Sequence, residues 1–380
     1  MNELNLVLGL YDNPENQLQP YYEINLYRNN LAIFGTSMSG KTTLIKTILV
    51  RLHQIAKTED VKDAVYILDF SRGLDEFKNM PFVASYCLSD NEDNIRILFK
   101  TLEERLKSNS DKLGEKIFID SDAPPIHVTL IIDGINLFLA EEHYNVYHEK
   151  LLKLAREGIS KGIDIIFTAS EPSGLVNKLL PSFNRLIAFD LPKDKYMDVF
   201  SVKVEKPLVT PGRGLANIDG KVYEFQSFLP HVEESDKDLV EKVNGDMSAV
   251  DWLKECKITT LPDVLKPDNA LVTGAESKDG AYENGVLVGL DYYSHKRVVL
   301  PPLNKAQSIA IYGKKNYGQD NLLKLIVNNA LGTEDVKFVF WEDGRKASAD
   351  IIEYIRSAGK SVEVVEKKVD FVRAIREVQE

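Results

Sequence analysis

The sequence has 380 residues, of which 44% are hydrophobic and 28% charged, and a formal net charge of −11. These values are typical of globular protein, and the length predicts two domains or at most three. No apolar run approaches the roughly 20 residues that span a bilayer, and no signal peptide opens the chain. The two cysteines, Cys87 and Cys256, indicate buried thiols in a reducing compartment. The acidic charge argues against nucleic acid as a partner, although a local basic lining would still be compatible with one.

A short strand over Leu4–Leu8 and a turn-rich cluster precede an apolar run at 31–34, which leads into Gly35-Thr36-Ser37-Met38-Ser39-Gly40-Lys41-Thr42. A helical pattern follows, so this match to G-x-x-x-x-G-K-[ST] has the strand, loop and helix that a phosphate-binding loop requires. Backbone N–H groups and the helix N-terminus favour an anion there. We expect Lys41 to reach the β- and γ-phosphates of ATP and the Thr42 hydroxyl to hold Mg²⁺.

Apolar runs and amphipathic stretches alternate over the next 150 residues. Strands are predicted at 64–70, 82–88, 127–133, 163–169 and 185–190, with helices at 91–106, 146–160 and 175–179. The polar stretch 107–125 is interpreted as a mobile surface excursion. Strands that alternate with helices predict an α/β fold, a parallel sheet covered by helices on both faces. A hairpin follows, with strands at 214–217 and 222–228 and a turn at Asp219-Gly220.

Asp133 ends an apolar strand about 90 residues after the phosphate loop, the pattern that places a carboxylate beside Mg²⁺. Asp69 also ends an apolar strand but comes too early in the strand order, so we rank it second. ATP hydrolysis needs a group that orients water, and Gly134, directly after Asp133, supplies none. Ser170 could orient water weakly, but a helix N-cap is its favoured role.

A trans-acting arginine would come from a neighbouring subunit, and Arg156, Arg185 and Arg213 are the candidates, each more often a surface salt-bridge residue. The six histidines show no metal-ligand spacing. The residues therefore favour tight ATP binding over turnover. No catalytic residue is assigned, and Arg156 is named as a candidate trans-acting group.

After an acidic helical stretch, the chain repeats its first pattern. The run Ile311-Tyr312-Gly313-Lys314-Lys315-Asn316-Tyr317-Gly318-Gln319-Asp320 matches the first loop, but Gln319 replaces Lys41 and Asp320 replaces Thr42. A carboxylate there would repel phosphate, so we expect this degenerate loop, with Gly313 and Gly318 retained, not to bind ATP. The chain ends before a counterpart of Asp133, which predicts a half-domain or an incomplete second module.

Several motifs together resemble a known family. They are Gly9-Leu-Tyr-Asp-Asn-Pro, the phosphate loop, Leu68-Asp-Phe-Ser-Arg-Gly, Leu130-Ile-Ile-Asp-Gly134 and Pro211-Gly-Arg-Gly-Leu215. This set resembles the FtsK/SpoIIIE-type ATPase modules of type VII secretion systems, the EssC/EccC proteins, closely over 1–230 and loosely over 271–380. The Asp-Gly after the strand and the opening motif are typical of secretion modules rather than DNA pumps.

The resemblance implies tandem RecA-like modules: a P-loop ATPase module at 1–230, a helical acidic connector at 231–270 and a degenerate second module at 271–380. It implies that Thr43 joins Gly35–Thr42 in binding phosphate and that Asp133 supports Mg²⁺. It further implies hexamers, other secretion-machine components as partners, and small helical secretion substrates of the Trp-x-Gly type. The chain would be a cytoplasmic portion of a membrane-anchored protein.

Two departures from the DNA-pumping relatives weaken the case for motor activity: Gly134 stands in place of their catalytic Glu, and Ile159 in place of their trans-acting Arg. Three functions therefore remain open. The first is an ATP-binding, weakly or non-hydrolysing module pair for assembly and substrate docking in protein export. The second is a DNA-translocating FtsK-type motor, and the third is a structural interaction module with vestigial nucleotide sites.

Overall fold

The computed structural model describes residues 4–58, 62–121, 123–231, 235–246, 251–258, 265–266, 285–291, 296–302, 309–312, 314, 317–332, 336–342 and 348–379. They fall into two compact units, Met1–Thr260 and Leu261–Glu380. Each unit is described by itself below. Among the helices of the described ranges, none is long and apolar enough to cross a membrane.

The first unit contains ten strands and seven α-helices among its described residues. The strands are β1 (Asn5–Tyr11), β2 (Tyr21–Asn25), β3 (Leu31–Phe34), β4 (Asp63–Asp69), β5 (Val83–Leu88), β6 (His127–Asp133), β7 (Ile163–Ala169), β8 (Arg185–Ala188), β9 (Arg213–Ile218) and β10 (Lys221–Ser227). The helices are α1 (Lys41–Thr58), α2 (Glu92–Leu113), α3 (Ile135–Ala140), α4 (His148–Glu157), α5 (Leu175–Leu179), α6 (Lys195–Phe200) and α7 (Asp236–Asp246).

All ten strands form one sheet in the order β2-β1-β10-β9-β8-β3-β7-β6-β4-β5. The six strands from β8 to β5 are parallel, and the phosphate-loop strand β3 lies between β8 and β7. The other four extend the sheet in antiparallel fashion. The predicted α/β fold with a parallel sheet is confirmed, and β2 is a strand that the sequence reading missed.

Side chains of the central strands alternate between two buried clusters, one on each face of the sheet. In β3, Ala32 and Phe34 belong to one cluster, and Leu31 and Ile33 to the other. Helix α1 packs on the Leu31 side, whereas α2 to α6 pack on the Phe34 side. Both faces are therefore covered, which explains why these strands are apolar throughout rather than alternating.

The polar stretch 107–125 is more ordered than predicted. Helix α2 continues to Leu113, and a 3-10 helix over Phe118–Asp120 follows. Phe118 is 4% exposed and packs against Tyr27 and His127, with ring centroids 5.1 Å and 5.2 Å apart. The prediction of a mobile excursion is wrong at this residue, because the buried Phe118 ring packs the segment against the core.

Part of the predicted connector packs on the first unit. Leu239, Val240 and Val243 of α7 are buried in one face cluster. Leu253 and Cys256 are buried in the other, where Tyr66 Oη donates to the backbone oxygen of Cys256 at 2.6 Å. The domain boundaries given above stay predictions.

The second unit contains β11 (Val286–Leu290), β12 (Arg297–Leu300), α8 (Gln319–Leu331), β13 (Phe338–Trp341), α9 (Ala349–Ser357), β14 (Val362–Val365) and α10 (Lys368–Gln379). Its pairings repeat those of the first unit. Strands β13 and β14 pair in parallel, as β4 and β5 do. Strands β11 and β12 pair antiparallel with a register shift at Leu287/Gly289, as β1 and β2 do at Val7/Gly9.

Candidate nucleotide-binding site

The phosphate loop begins where the central strand β3 ends. The Gly35 N–H donates to the backbone oxygen of Ala169 at 3.1 Å, and the Thr36 N–H donates to that of Asp190 at 2.8 Å. Since β7 and β8 flank β3, these bonds fix the start of the loop between the carboxyl ends of its neighbours. The crevice outside the carboxyl ends of parallel strands is where open α/β sheets bind ligands.

The loop closes on itself through Lys41. Its Nζ donates to the backbone oxygens of Gly35 and Thr36, both at 2.7 Å. Gly40 has a φ of +111°, and a Cβ there would lie 2.7 Å from the backbone nitrogen of Gly212, so glycine is required. The Ser39 hydroxyl is buried and has no hydrogen-bond partner in the described part of the chain. The loop therefore has the shape of an anion cradle that carries a cation and an unpaired hydroxyl.

Burial lowers the pKa of Lys41 from its ordinary value, and the nearby Asp133 carboxylate opposes that shift. A half-buried ammonium group that has lost part of its hydration gains from a bound anion. Phosphate at this position would supply that anion.

Asp133 ends β6 with its side chain fully buried and surrounded by hydroxyl groups. Thr42 Oγ1 donates to Asp133 Oδ2 at 2.9 Å, and Thr168 Oγ1 donates to Oδ1. Burial raises the pKa of Asp133, while hydrogen bonds from Thr168, Ser71 and Thr42 lower it in part. The structure thus brings together the two residues predicted to hold Mg²⁺, Thr42 and Asp133.

Asp69 lies directly opposite Asp133 in the sheet register, but its carboxylate holds a turn. Its Oδ1 accepts the Gly73 N–H at 3.2 Å, and its Oδ2 accepts the Leu74 N–H and the Tyr86 hydroxyl, each at 2.8 Å. Asp69 thus bonds to the chain after β4, whereas Asp133 accepts the Thr42 hydroxyl of the phosphate loop. The ranking of Asp133 ahead of Asp69 stays a prediction.

Gly134 takes a left-handed conformation, with φ +86° and ψ 47°. A Cβ there would lie 3.1 Å from Ser71 Oγ and 3.5 Å from the Cβ of Phe70. Its N–H donates to Thr168 Oγ1 at 2.8 Å, which ties the residue to the same hydroxyl that contacts Asp133. A glutamate at this position would be strained, because the backbone is left-handed and Ser71 Oγ lies close to where its Cβ would be.

The prediction that Ser170 caps the following helix is wrong. Its N–H and hydroxyl both donate to Asn136 Oδ1, at 2.8 Å and 3.2 Å, and the N-cap of α5 is Gly174. The sequence predicted a polar group within Thr168-Ala169-Ser170-Glu171 at the end of β7 and favoured Ser170, and it did not assign a role to Thr168 or Asn136. Thr168 had a signal, since it is a hydroxyl residue near the carboxyl end of an otherwise apolar strand.

The turn before β9 contacts the phosphate loop, which the sequence reading also missed. The Gly212 N–H donates to the backbone oxygen of Ser39 at 2.8 Å. Lys206, in the segment leading to this turn, lies with its Nζ 2.6 Å from Asp190 Oδ1. Thr36 Oγ1 donates to the other oxygen of Asp190 at 3.1 Å.

The three candidate arginines lie in different places. Arg156 is exposed in the last turn of α4, and Arg185 begins β8, so both lie near the amino ends of the parallel strands, away from the phosphate loop of their own chain. Arg213 follows Gly212 and forms an ion pair with Glu224 at 3.5 Å. The trans-acting role of Arg156 stays a prediction.

The donor set fits Mg²⁺ bound together with a nucleotide. Thr42 and Asp133 offer the oxygen ligands that Mg²⁺ prefers, and Mg²⁺ commonly takes one or two protein ligands plus substrate phosphates. No cluster of three or more His, Cys, Asp or Glu side chains suited to a metal ion occurs within the described ranges. The remaining ligands of a metal here would be phosphate oxygens and water.

A second polar cluster lies at the amino ends of the parallel strands β4, β6 and β7, at the opposite end of these strands from the phosphate loop. Asp63, His127, Thr129 and Asp164 are all buried, and His127 Nδ1 lies 2.9 Å from Asp63 Oδ1. Thr129 Oγ1 lies 2.8 Å from Asp164 Oδ1, to which it donates. Burial, and then the Asp63 charge, raise the pKa of Asp164 well above its ordinary value.

In the second unit, the residues of the degenerate loop are partly described. Gly313 lies outside the described residues. Gly318 has a φ of +95° and precedes α8, and Asp320 is exposed in the first turn of that helix. Gln319 Nε2 donates to the backbone oxygen of Lys314 at 2.7 Å, the bond that corresponds to the one between Lys41 and Thr36.

No family model matches this chain. It is 24% identical over 340 residues to the ESX secretion system protein EccC of Geobacillus thermodenitrificans, covering 86% of this chain and 22% of that protein. It is 25% identical over 306 residues to the type VII secretion system protein EssC of Staphylococcus aureus, covering 76% and 20%. The chain resembles the EssC/EccC ATPases of type VII secretion systems. It spans about a fifth of the length of these relatives.

Solved structures of EssC and EccC share the fold. ATPases 2 and 3 of EssC from G. thermodenitrificans match with a TM-score of 0.74 and 22% identity over 99% of this chain and 72% of that one. ATPases 2 and 3 of Thermomonospora curvata EccC, solved in complex with a signal sequence peptide, match with a TM-score of 0.63 and 20% identity, over 99% and 69%. The predicted tandem RecA-like P-loop architecture is confirmed by this likeness.

Proposed function

We propose that this chain is the ATP-binding portion of a type VII secretion ATPase and that it binds ATP tightly but hydrolyses it weakly or not at all. One observation carries the proposal: the phosphate loop and the Thr42–Asp133 pair are fully assembled, whereas the next residue, Gly134, offers no catalytic side chain and has a conformation hostile to one. These residues support nucleotide binding, and the position after Asp133 carries no side chain that could orient water.

The loop from Gly35 to Thr43 would hold the phosphates of ATP. Lys41 is already placed on the loop carbonyls and would exchange those contacts for phosphate oxygens. Thr42 and Asp133 would hold Mg²⁺, which neutralises phosphate charge when it is bound. Burial raises the pKa of Asp133, so a cation bound beside it would favour the charged form of that carboxylate.

The wider role is proposed from the relatives. EssC and EccC are named as secretion system proteins, and one EccC structure contains a signal sequence peptide. We accordingly place this chain on the cytoplasmic side of a membrane-anchored protein. There it would act in assembly, as part of a hexamer with other secretion components, and in docking small helical substrates of the Trp-x-Gly type.

Thermal melting of the whole chain with Mg-ATP tests nucleotide binding. At an ATP concentration 100 times the Kd, the stabilisation would be about 2.7 kcal/mol, which raises the Tm by several degrees. Lys41→Ala should abolish the shift, because it removes the cation that faces the phosphates. Lys46→Ala, a change to another α1 lysine that bonds Asp236 rather than the loop, should keep it.

The rate of phosphate release, measured with and without DNA, tests the rest of the proposal. We expect a rate close to background in both cases. Rapid release that DNA stimulates, with steep salt dependence, would instead support the translocating motor. No Mg-ATP shift in the wild type would leave only the structural interaction module.

A further inference from the structure

Residues 203–212 join α6 to β9, and we call them the strap. All ten are described, and residues 203–210 form neither helix nor strand. The strap exposes Leu208 and Val209, at 73% and 68%, and it contains two prolines, Pro207 and Pro211, that cannot donate backbone hydrogen bonds. Val204 packs against the buried cluster that contains Phe34. The exposed remainder is held by the polar contacts of Lys206 and Gly212, and a segment with few buried contacts opens at low free energy when such bonds are lost.

The first fastening reaches the start of the phosphate loop. Lys206 Nζ lies 2.6 Å from Asp190 Oδ1 and donates to the backbone oxygen of Leu191 at 2.9 Å. Asp190 in turn accepts the Thr36 hydroxyl at its Oδ2 and the Thr36 N–H at its backbone oxygen. The Lys206 ammonium beside Asp190 lowers the pKa of that carboxylate from its ordinary value. Lys206 and Thr36 therefore contact the same carboxylate, that of Asp190, and Lys206 is connected to the phosphate loop through it.

The second fastening reaches the other end of the same loop. The Gly212 N–H donates to the backbone oxygen of Ser39 at 2.8 Å. Gly212 also approaches so closely that a Cβ on Gly40 would lie 2.7 Å from its nitrogen. Residues 206–212 are thus linked to the loop at both ends, to Thr36 through Asp190 and to Ser39 directly. The backbone oxygen of Gly212 also accepts the Ser227 N–H of β10 at 2.8 Å, which holds that end of the strap against the sheet.

We propose that the strap is coupled to the phosphate loop, so that nucleotide binding fastens it and release of the strap weakens nucleotide binding. This rests on the proposed ATP site, and it follows because coupling between two sites is reciprocal. A ligand that stabilises the loop conformation described here stabilises the bonds to Asp190 and Gly212 as well. Lys206 is a positioning residue in this scheme, acting through Asp190 and not on the phosphates.

Hydrogen exchange of the whole wild-type chain, with and without a saturating non-hydrolysable ATP analogue and Mg²⁺, tests the coupling without any substitution. We expect amide exchange in peptides covering residues 203–212 to slow at least about threefold. The Gly212 amide is the most direct reporter, because its own hydrogen bond joins strap and loop.

The reciprocal measurement is the Kd for a fluorescent ATP analogue. Lys206→Met keeps the apolar stem but removes the charge, and we expect a Kd about threefold to tenfold higher, a modest effect because both partners of the ion pair are partly exposed. Lys206→Arg should bind within about twofold of the wild type, because a guanidinium can pair with Asp190. Lys203→Met, a charge-matched change at an exposed position of the same strap, should leave the Kd unchanged.

The outcomes separate the two proposals. If the wild type binds the analogue but exchange in residues 203–212 stays the same, or if the Kd of Lys206→Met equals that of Lys203→Met, the coupling is wrong and the ATP site stands. If the wild type does not bind the analogue, both proposals fail together.

Discussion

At Gly134 the backbone conformation itself limits what the site can do. The residue lies between Asp133 and α3 with a left-handed φ, and its N–H is committed to Thr168. A side chain would meet Ser71, one of the hydroxyl residues that bond to Asp133. The absence of a side chain at Gly134 and the local geometry are therefore linked, because a side chain added there would be strained and would contact Ser71.

We expect Gly134→Glu to remain inactive in phosphate release and to lower the free energy of unfolding by roughly 1–3 kcal/mol, measured by urea denaturation. The strain arises from a side chain at positive φ next to Ser71. Gly220→Ala is the control for a side chain at positive φ alone, because Gly220 has a φ of +83°, close to that of Gly134, and nothing lies within 4 Å of its Cβ. Robust ATP turnover by Gly134→Glu would contradict the account of this site.

The buried Asp164 gives a second test at the residue scale, through pH. Its pKa is raised in the folded chain, so its contribution to stability is fully present below the ordinary carboxyl pKa and is lost as pH rises through the folded value. The titratable groups that face it are Asp63 and His127, from β4 and β6.

Asp164→Asn cannot ionise and should escape that loss. We expect the unfolding free energy of the variant, minus that of the wild type, to increase by about 1 kcal/mol or more between pH 5 and pH 8, as measured by urea titration. The amide oxygen can still accept the Thr129 hydroxyl, which preserves one contact. A difference that is flat or falls with pH would show that Asp164 is ionised in the folded chain.

At the scale of elements, the segment between α2 and β6 depends on one aromatic anchor. We expect Phe118→Ala to cost about 3–5 kcal/mol of unfolding free energy by chemical denaturation, because a 4% exposed ring leaves a cavity beside Tyr27 and His127. Ile117→Ala, at a neighbour that is 40% exposed, should cost less than about 1 kcal/mol. Equal costs would mean that the segment is held some other way.

The sequence predicted well those elements whose signals are local. The apolar runs of β3, β4, β6 and β7 and the motif before α1 are written in consecutive residues, so their positions follow from pattern alone. Phe118 was missed because a single buried ring in a polar stretch has no period. Gly212 and Lys206 were missed because their partners, Ser39 and Asp190, are distant in sequence and meet them only once the sheet has formed.

At the scale of the whole molecule, the two units share local geometry but not charge. The register shift at Gly9 recurs at Gly289, and the parallel pair of β4 and β5 recurs in β13 and β14. The second loop, however, presents Gln319 and Asp320 where the first presents Lys41 and Thr42. We therefore expect ATP to bind to the first unit and not to the second.

We expect isothermal titration with Mg-ATP to give close to one nucleotide per chain, since a single loop carries the lysine that phosphate needs. Lys41→Ala should remove the binding heat entirely. A stoichiometry near two, or residual binding in that variant, would show that the degenerate loop is occupied.

The bond from Gln319 to the Lys314 carbonyl carries a broader consequence. A neutral amide donates there to the carbonyl that corresponds to the one that the Lys41 ammonium contacts at Thr36, so this hydrogen bond does not require a formal positive charge. A substitution at this position can therefore remove the charge that attracts phosphate while the hydrogen bond to the loop backbone is kept.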